Sequence, residues 1–473
     1  MTTARAGAYA VAGATVLALL VRAPFLADSL WYDEIAAFAG YSMDGAWGAV
    51  GRYFSQANHV LASLLAWMSA EAFGVDEVSM RLPALVAGLA TVPATAWLGR
   101  EAGGMRVAAA AAVAVAVMPT AVLPSTEARG YALMMLFAAL SSASLLCWLR
   151  TGARAAWWCC AASYALGAWS HLVFACVPAF HAAWLAWRWA RAPRGGEGGG
   201  RDARRRTATG LGTVLAGGAA ALGLYAPILG QMLGMRNEFR ALDGNEPTLL
   251  GPEGAWMLLS VGGSWTWWAA VASLPLAVAG AAAAMRDRAL RAGLSASLGG
   301  VLVALLFPTV LGSWLYARFI AFTVPGIAVL LAAGACALWT RARWAGATCS
   351  VVAIAAWTAA LVAIGPRQQL REAIELVDRA TQPGDRAFAV GLPDDVHAWY
   401  AAPKGLEMPG SGPYGRDLAR HLADPSMRWC VLLYPRALAD RRAELVGAGF
   451  EEVHRFDGWI DQGDGAVLVL RRR

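Results

Sequence analysis

Lysine is nearly absent from this chain: of 39 basic residues in 473, Lys404 is the single lysine. Charged residues of every kind make up only 15%, too few for the solvated surface of an ordinary soluble domain. Seven cysteines are present, but they show neither a disulfide framework nor a metal-ligand spacing, and Cys159 and Cys160 are adjacent rather than in a C-x-x-C step. No internal repeat is evident, and no pair of glycine- or proline-broken helices falls in matching halves. That argues against the rival reading of a transporter or lipid flippase. The net charge of +7 and pI near 9.2 suggest nucleic acid at first sight. The arginines, however, sit in short connections between apolar runs and not on one soluble face, which excludes nucleic acid as a partner. Arginine in place of lysine, with excess Ala and Gly, is the composition of a GC-rich, bacterial genome.

Apolar residues fill the space left by these absences, at 58% of the chain with a mean hydropathy of +0.48. Successive runs of about 17 to 25 residues are each long enough to cross a hydrocarbon core as a helix. The first, 6–26, has no small-residue cleavage site after it and many runs beyond it, so the expectation is a retained anchor rather than a signal peptide.

Whether 59–74 crosses the membrane decides the orientation of every later loop. With that run in the outer interface, the inner segments carry 17 arginines against seven outside, as the positive-inside rule requires. At about 16 residues, with His59 and Glu71 near its ends, it also suits an interfacial helix. The expected plan is an α-helical polytopic membrane protein with eleven spans, near 6–26, 82–99, 107–124, 131–149, 156–170, 172–190, 207–229, 256–284, 292–313, 319–340 and 344–365. Its N-terminus is inside and its C-terminus outside. Residues 191–206 read as a Gly/Arg-rich inner linker, and after Pro366 the composition becomes that of a small soluble α/β domain, with strands expected at 386–391, 429–433 and 465–470.

In this topology the unusual polar residues gather on the outer side: Asp33, Glu34, His59, Arg81, Glu127, Arg129, His171, Tyr316 and Arg318. Acidic groups at a membrane surface are costly unless solvated or used. Together these residues suggest an anion-binding pocket with a carboxylate base: arginine forks suit phosphate, and a carboxylate takes a proton from a hydroxyl or amine. Adjacent helical side chains point about 100° apart, so only one of Asp33 and Glu34 need face the pocket. If both converge, repulsion raises one pKa. Glu127 and Arg129, two apart, are not expected to pair with each other. His181, mid-span among Ala and Trp, reads as packing, and Trp265, Trp267 and Trp268 as interfacial belt.

Several motifs in order resemble the GT-C superfamily of integral-membrane glycosyltransferases, in the branch of protein O-mannosyltransferases and aminoarabinose transferases. They are WYDE after the first span, NHVLASLLAWMSAEAFG leading into SMRLPALVAG, then STEARGYAL, SHLVF and YARFIAFTVP. One departure is clear: the family's His-Pro-Pro-Leu is Asn58-His59-Val60-Leu61 here. The resemblance implies a transmembrane transferase domain over 1–366, with 27–81 as an outer catalytic loop, and an extracytoplasmic domain over 367–473. It also implies a polyprenyl-phosphate sugar donor, inverting transfer to a lipid, envelope glycan or protein acceptor, and an inner-membrane location. Asp33 is then the base, with Glu34 as its partner in catalysis. Arg81, Arg129 and Arg318, with Tyr316, contact the donor phosphate, while His59, Glu127 and His171 line the substrate site. No metal cluster is evident, and a divalent cation (Mg2+ or Mn2+) would need water and phosphate oxygens beside the acidic pair. The outer loop 230–255, with Arg236, Glu238 and Arg240, is long enough to close over a donor.

Overall fold

The computed structural model describes residues 3–55, 58–192, 199–235, 267–306, 316–391, 394–412, 415–460 and 463–473. Most of the loop 230–255, Arg236 to Arg240 included, lies outside them, as do Trp265, residues 193–198 of the linker expected on the inner side and the end of the span expected at 292–313.

The protein is an α-helical polytopic membrane protein. Seven helices among the described residues are long and apolar enough to cross a membrane: Arg5–Phe25, Glu77–Val117, Tyr131–Thr151, Arg201–Tyr225, Trp267–Arg286, Arg318–Arg341 and Arg343–Ala363. The 41-residue element Glu77–Val117 covers two of the expected spans, turning at Gly104, whose φ of 82° is open to glycine and strained for other residues. Arg154–Ser170 and Cys176–Arg191 occupy two further expected spans at 17 and 16 residues. Val60–Phe73, with 14 residues, is too short to cross a core of about 30 Å at about 1.5 Å per residue.

Glu77–Val117 is the hub, packed against Thr3–Arg22, Tyr131–Thr151 and Val324–Arg341. Small residues set the closest approaches, as expected where lipid supplies no hydrophobic drive between helices. A Cβ on Gly334 would fall 1.9 Å from the Leu276 carbonyl oxygen, and one on Gly280 would fall 2.1 Å from that of Leu330. Glycine at both points therefore lets Trp267–Arg286 and Val324–Arg341 touch backbone to backbone.

The hub helix ends at Met118–Pro119, and Pro119 has no N–H to give to the Val115 carbonyl. Arg22, 1% exposed, serves the freed carbonyls: its Nη atoms donate to Ala116 O at 2.7 Å, Val115 O at 3.3 Å and Ala121 O at 3.3 Å. A cation at the negative end of a helix dipole explains this buried arginine without a carboxylate partner.

Beyond Pro366 the helix Leu370–Ala380 lies on a four-stranded sheet ordered Arg386–Val390, Met427–Leu433, Val467–Arg472, Phe450–Phe456, with the first pair parallel and the others antiparallel. Alternation splits the strands between two cores. Phe388, Cys430, Leu432 and Leu468 face one core with Leu418 and Leu445. Ala389, Trp429, Val431 and Val469 face the other, which also takes in Leu30, Ile35, Phe38 and Met80. Residues flanking the WYDE motif are thus part of the same core as one face of the C-terminal sheet.

Candidate active site

Residues 127–130 organise the site. They follow the short 3-10 turn Leu123–Ser125 and precede the helix Tyr131–Thr151, so their backbone is free to face outward from helical pairing. Each meets a different partner. Glu127 pairs with the Arg367 guanidinium, and the Ala128 N–H donates to Glu34 Oε1 at 2.6 Å. Arg129 Nη1 donates to the Asp33 carbonyl at 3.1 Å, and the Gly130 N–H donates to His59 Nδ1 at 2.9 Å.

The two carboxylates of the motif diverge, as their helical spacing allows. Tyr32–Ala37 is a short helix, and Glu34 in its first turn points inward, fully buried. Arg81 meets it with Nε to Oε1 at 2.9 Å and Nη2 to Oε2 at 2.6 Å. Glu34 Oε2 also accepts the Trp31 N–H at 3.2 Å. The remaining donors of Arg81 go to the carbonyls of Leu26 at 3.0 Å, Asp28 at 2.6 Å and Ser29 at 3.2 Å. All five guanidinium N–H groups are thereby committed within the protein, leaving none to turn to a phosphate. Glu34 and Arg81, expected as catalytic partner and phosphate contact, form a structural clasp in this geometry.

Asp33 points the other way and keeps a 16% exposed side chain. Its Oδ2 lies 3.1 Å from Arg318 Nη2 and 3.8 Å from Arg129 Nη2. Arg318 stands among four aromatic rings, Tyr316 at 4.8 Å, Trp31 at 5.3 Å, Tyr131 at 5.9 Å and Phe319 at 6.0 Å from the guanidinium carbon to each centroid. The ring faces favour the cation and restrain its fork.

Two imidazoles close the inner wall. His59 and His171 lie 4.5 Å apart by ring centroids, with Tyr131 edge-on to His59 at 5.1 Å. Because His59 Nδ1 accepts the Gly130 N–H, the proton of its neutral form is on Nε2, which sits 3.4 Å from Arg129 Nη2. Burial, then the Arg129 charge, holds the His59 pKa well below its ordinary value, and burial with Arg129 and Arg318 lowers His171 to about 3.

Asp33, His59, Arg129, His171, Tyr316 and Arg318 thus come together, while Glu127 turns away to Arg367. His181 lies apart, its ring nitrogens 2.7 Å from the Tyr164 hydroxyl and 2.6 Å from the Ala296 carbonyl. The described residues contain no group of three or more His, Cys, Asp or Glu side chains able to hold a metal ion. With both Glu34 oxygens occupied, the donor set among the described residues does not fit a resident divalent cation.

Sequence reasoning missed the contributions of the C-terminal region. Gln368 Oε1 accepts the Tyr32 N–H at 2.9 Å, and the Tyr400 hydroxyl accepts the Leu30 N–H at 2.8 Å. Tyr434, at φ 54°, is the non-glycine residue in left-handed backbone among those described. Burial raises its phenol pKa, and the Asp33 charge adds to that rise while Arg318 opposes it, which places this ring beside the site. An apolar groove of about 540 Å3 is lined by Tyr164, Ala168, Leu172, Val214, Leu222 and Tyr225, of which Leu172 follows His171 in the chain.

The bundle with its polar cluster and small C-terminal sheet shares its fold with several solved membrane-protein structures. Two solved structures of ArnT from Cupriavidus metallidurans are similar to it over nearly the whole chain. The apo form has a TM-score of 0.61 at 13% identity, covering 98% of this chain and 97% of that one. The form bound to undecaprenyl phosphate has a TM-score of 0.58 at 14% identity, covering 99% and 98%. The archaeal oligosaccharyltransferase AglB from Archaeoglobus fulgidus, in complex with an inhibitory peptide and a dolichol-phosphate, has a TM-score of 0.56 at 11% identity, covering 93% and 71%. No protein-family model matches the chain. No curated protein matches its sequence.

Proposed function

We propose that the protein is a polyprenyl-phosphate-dependent glycosyltransferase that moves a sugar, with inversion, to an acceptor on the outer face of the inner membrane. The observation that carries this reading is the partly exposed Asp33 carboxylate held by Arg318 and Arg129, with Glu34 occupied elsewhere. It is supported by the shared architecture with ArnT bound to undecaprenyl phosphate and AglB bound to a dolichol-phosphate.

In this mechanism the donor phosphate enters between Arg129, Arg318 and the His59 Nε2–H. It competes with Asp33 for the two guanidiniums, so donor binding itself frees the carboxylate. Asp33 then takes the proton from the acceptor hydroxyl or amine as that atom attacks the anomeric carbon. The carbon–oxygen bond to phosphate breaks on the opposite side, and the arginines stabilise the departing dianion. A phosphate ester leaves readily, so the base and the cations matter more than a general acid. Tyr316 orients Arg318, and His171 supports the His59 ring. The groove beside Leu172 receives part of the polyprenyl chain.

Residues 1–366 form the transferase domain in this proposal, with 27–81 as its catalytic loop and 367–473 as an outer domain. The N-terminus is cytoplasmic. The acceptor is a lipid, an envelope glycan or a protein. The test is transfer from a panel of labelled polyprenyl-phosphate sugars into membranes carrying wild type or Asp33→Asn. Label moving only with wild type supports the reading and identifies donor and acceptor. No transfer from any donor by folded wild-type protein overturns it.

A further inference from the structure

Arg367 lies just past the last long helix, where nothing in the reaction scheme requires a charge, yet its side chain is only 10% exposed. Its guanidinium carbon is 4.1 Å from the Trp459 centroid and 4.5 Å from the Trp31 centroid. The same Trp31 ring is 5.3 Å from the guanidinium carbon of Arg318, which holds Asp33 at 3.1 Å. A continuous ladder therefore runs from Trp459 through Arg367, Trp31 and Arg318 to Asp33. Its far end is anchored: the Trp459 N–H donates to the Arg367 carbonyl at 2.8 Å and its indole N–H donates to the Gly365 carbonyl at 2.8 Å. Glu127 pairs with Arg367, and Glu127 lies two residues before Arg129, the second arginine on Asp33.

We propose that Arg367 is a positioning residue for the transfer reaction, holding the Trp31 ring, and through it the Arg318 fork, in register with Asp33. The inference rests on the reading of Asp33 and Arg318 given above. A buried ion pair that merely tied the chain past Pro366 to the bundle would need Glu127 alone. Here one indole is shared between two guanidiniums, each with its own carboxylate, so the place of either cation depends on the other. The shared ring also gives Arg318 a fixed footing when a phosphate draws it from Asp33. Loss of a supporting group that shifts a reacting element by about 1 Å costs up to ~100-fold in rate.

The test uses full-length protein in lipid nanodiscs, with Arg367→Met, Arg367→Lys, Arg318→Lys and the Arg367→Met/Arg318→Lys double variant. Backbone hydrogen exchange is followed over 28–35 and 316–323, and transfer and undecaprenyl-phosphate binding are measured alongside. The expected result is faster exchange in both segments for Arg367→Met and a transfer rate lowered about ten- to hundredfold. Arg367→Lys, which keeps the charge beside Glu127, should recover part of both. In the double variant, Arg367→Met should add little to the defect of Arg318→Lys, because both act through one fork. Exchange changes confined to residues around 366 and 459, or fully multiplicative rate effects, overturn the proposal and leave Arg367 as a tie. Failure of wild type to bind undecaprenyl phosphate or transfer any sugar would count against the glycosyltransferase reading instead. The exchange pattern still decides the ladder in that case.

Discussion

Glu34 and Arg81 face each other through two parallel contacts, at 2.9 and 2.6 Å, with side chains 0% and 4% exposed. Asp33, the residue just before Glu34, looks to the opposite side and meets Arg318. One motif thus supplies a fully buried, paired carboxylate and a partly exposed one, and the two are expected to respond differently to substitution.

Removing one member of a buried pair strands the other charge in the interior, which costs about 3–5 kcal/mol. Arg81→Ala is therefore expected to lower the melting temperature in detergent sharply and to reduce the yield of folded protein. Arg81→Lys should rescue little, since an ammonium cannot serve Glu34 and the carbonyls of Leu26, Asp28 and Ser29 together. A well-folded, stable Arg81→Ala protein with selectively lost donor affinity would return Arg81 to the phosphate.

Asp33→Asn keeps the shape of the side chain and an acceptor oxygen for Arg318 but cannot take a proton. Transfer should fall by about 10²- to 10⁴-fold while the melting temperature stays near that of wild type. Rates of transfer and thermal unfolding, measured on the same preparation, separate the two effects. Near-normal transfer removes Asp33 as the base.

In the proposed reaction, Arg318→Ala takes away a charge-assisted contact worth about 1.5–3 kcal/mol to the donor phosphate. Affinity for the proposed polyprenyl-phosphate donor should drop by roughly tenfold or more, and the remaining affinity should depend less on salt. Unchanged affinity would confine Arg318 to holding Asp33.

Much of this site is legible in the sequence because its residues stand in a few short motifs at the ends of apolar runs. What the motifs do not carry is direction. Spacing says that Asp33 and Glu34 point apart, but which one turns inward depends on Arg81, 47 residues away. Arg367, Gln368 and Tyr400 are hidden for the same reason: their partners lie hundreds of residues earlier, and the local composition past Pro366 reads only as a soluble domain. Three strands of that domain are readable as apolar runs. Phe450–Phe456 is not, because it is a sheet edge whose Glu451, Glu452, Val453 and His454 are exposed, so its composition carries no apolar run. The break at Met118–Pro119 is signalled by proline, yet nothing local announces that Arg22 will complete it.

The paired imidazoles give the protein an acid sensitivity of definite sign. His59 and His171 are neutral when folded, with His171 lowered to about 3 and His59 lowered well below its ordinary value. In the unfolded chain both titrate near 6.5. Between the folded and unfolded values the unfolded state binds more protons, so stability rises with pH there. Their contribution is fully present above about pH 6.5 and is lost as pH falls, by at most about 1.4 kcal/mol per unit for each ring. Thermal unfolding in detergent between pH 8 and pH 5 should therefore show a melting temperature that is flat at first and then declines below about 6.5. Replacing His171 by Gln, which keeps a polar acceptor and cannot titrate, should make that decline shallower. Equal slopes in the two proteins would mean that His171 is not the group taking up protons on unfolding.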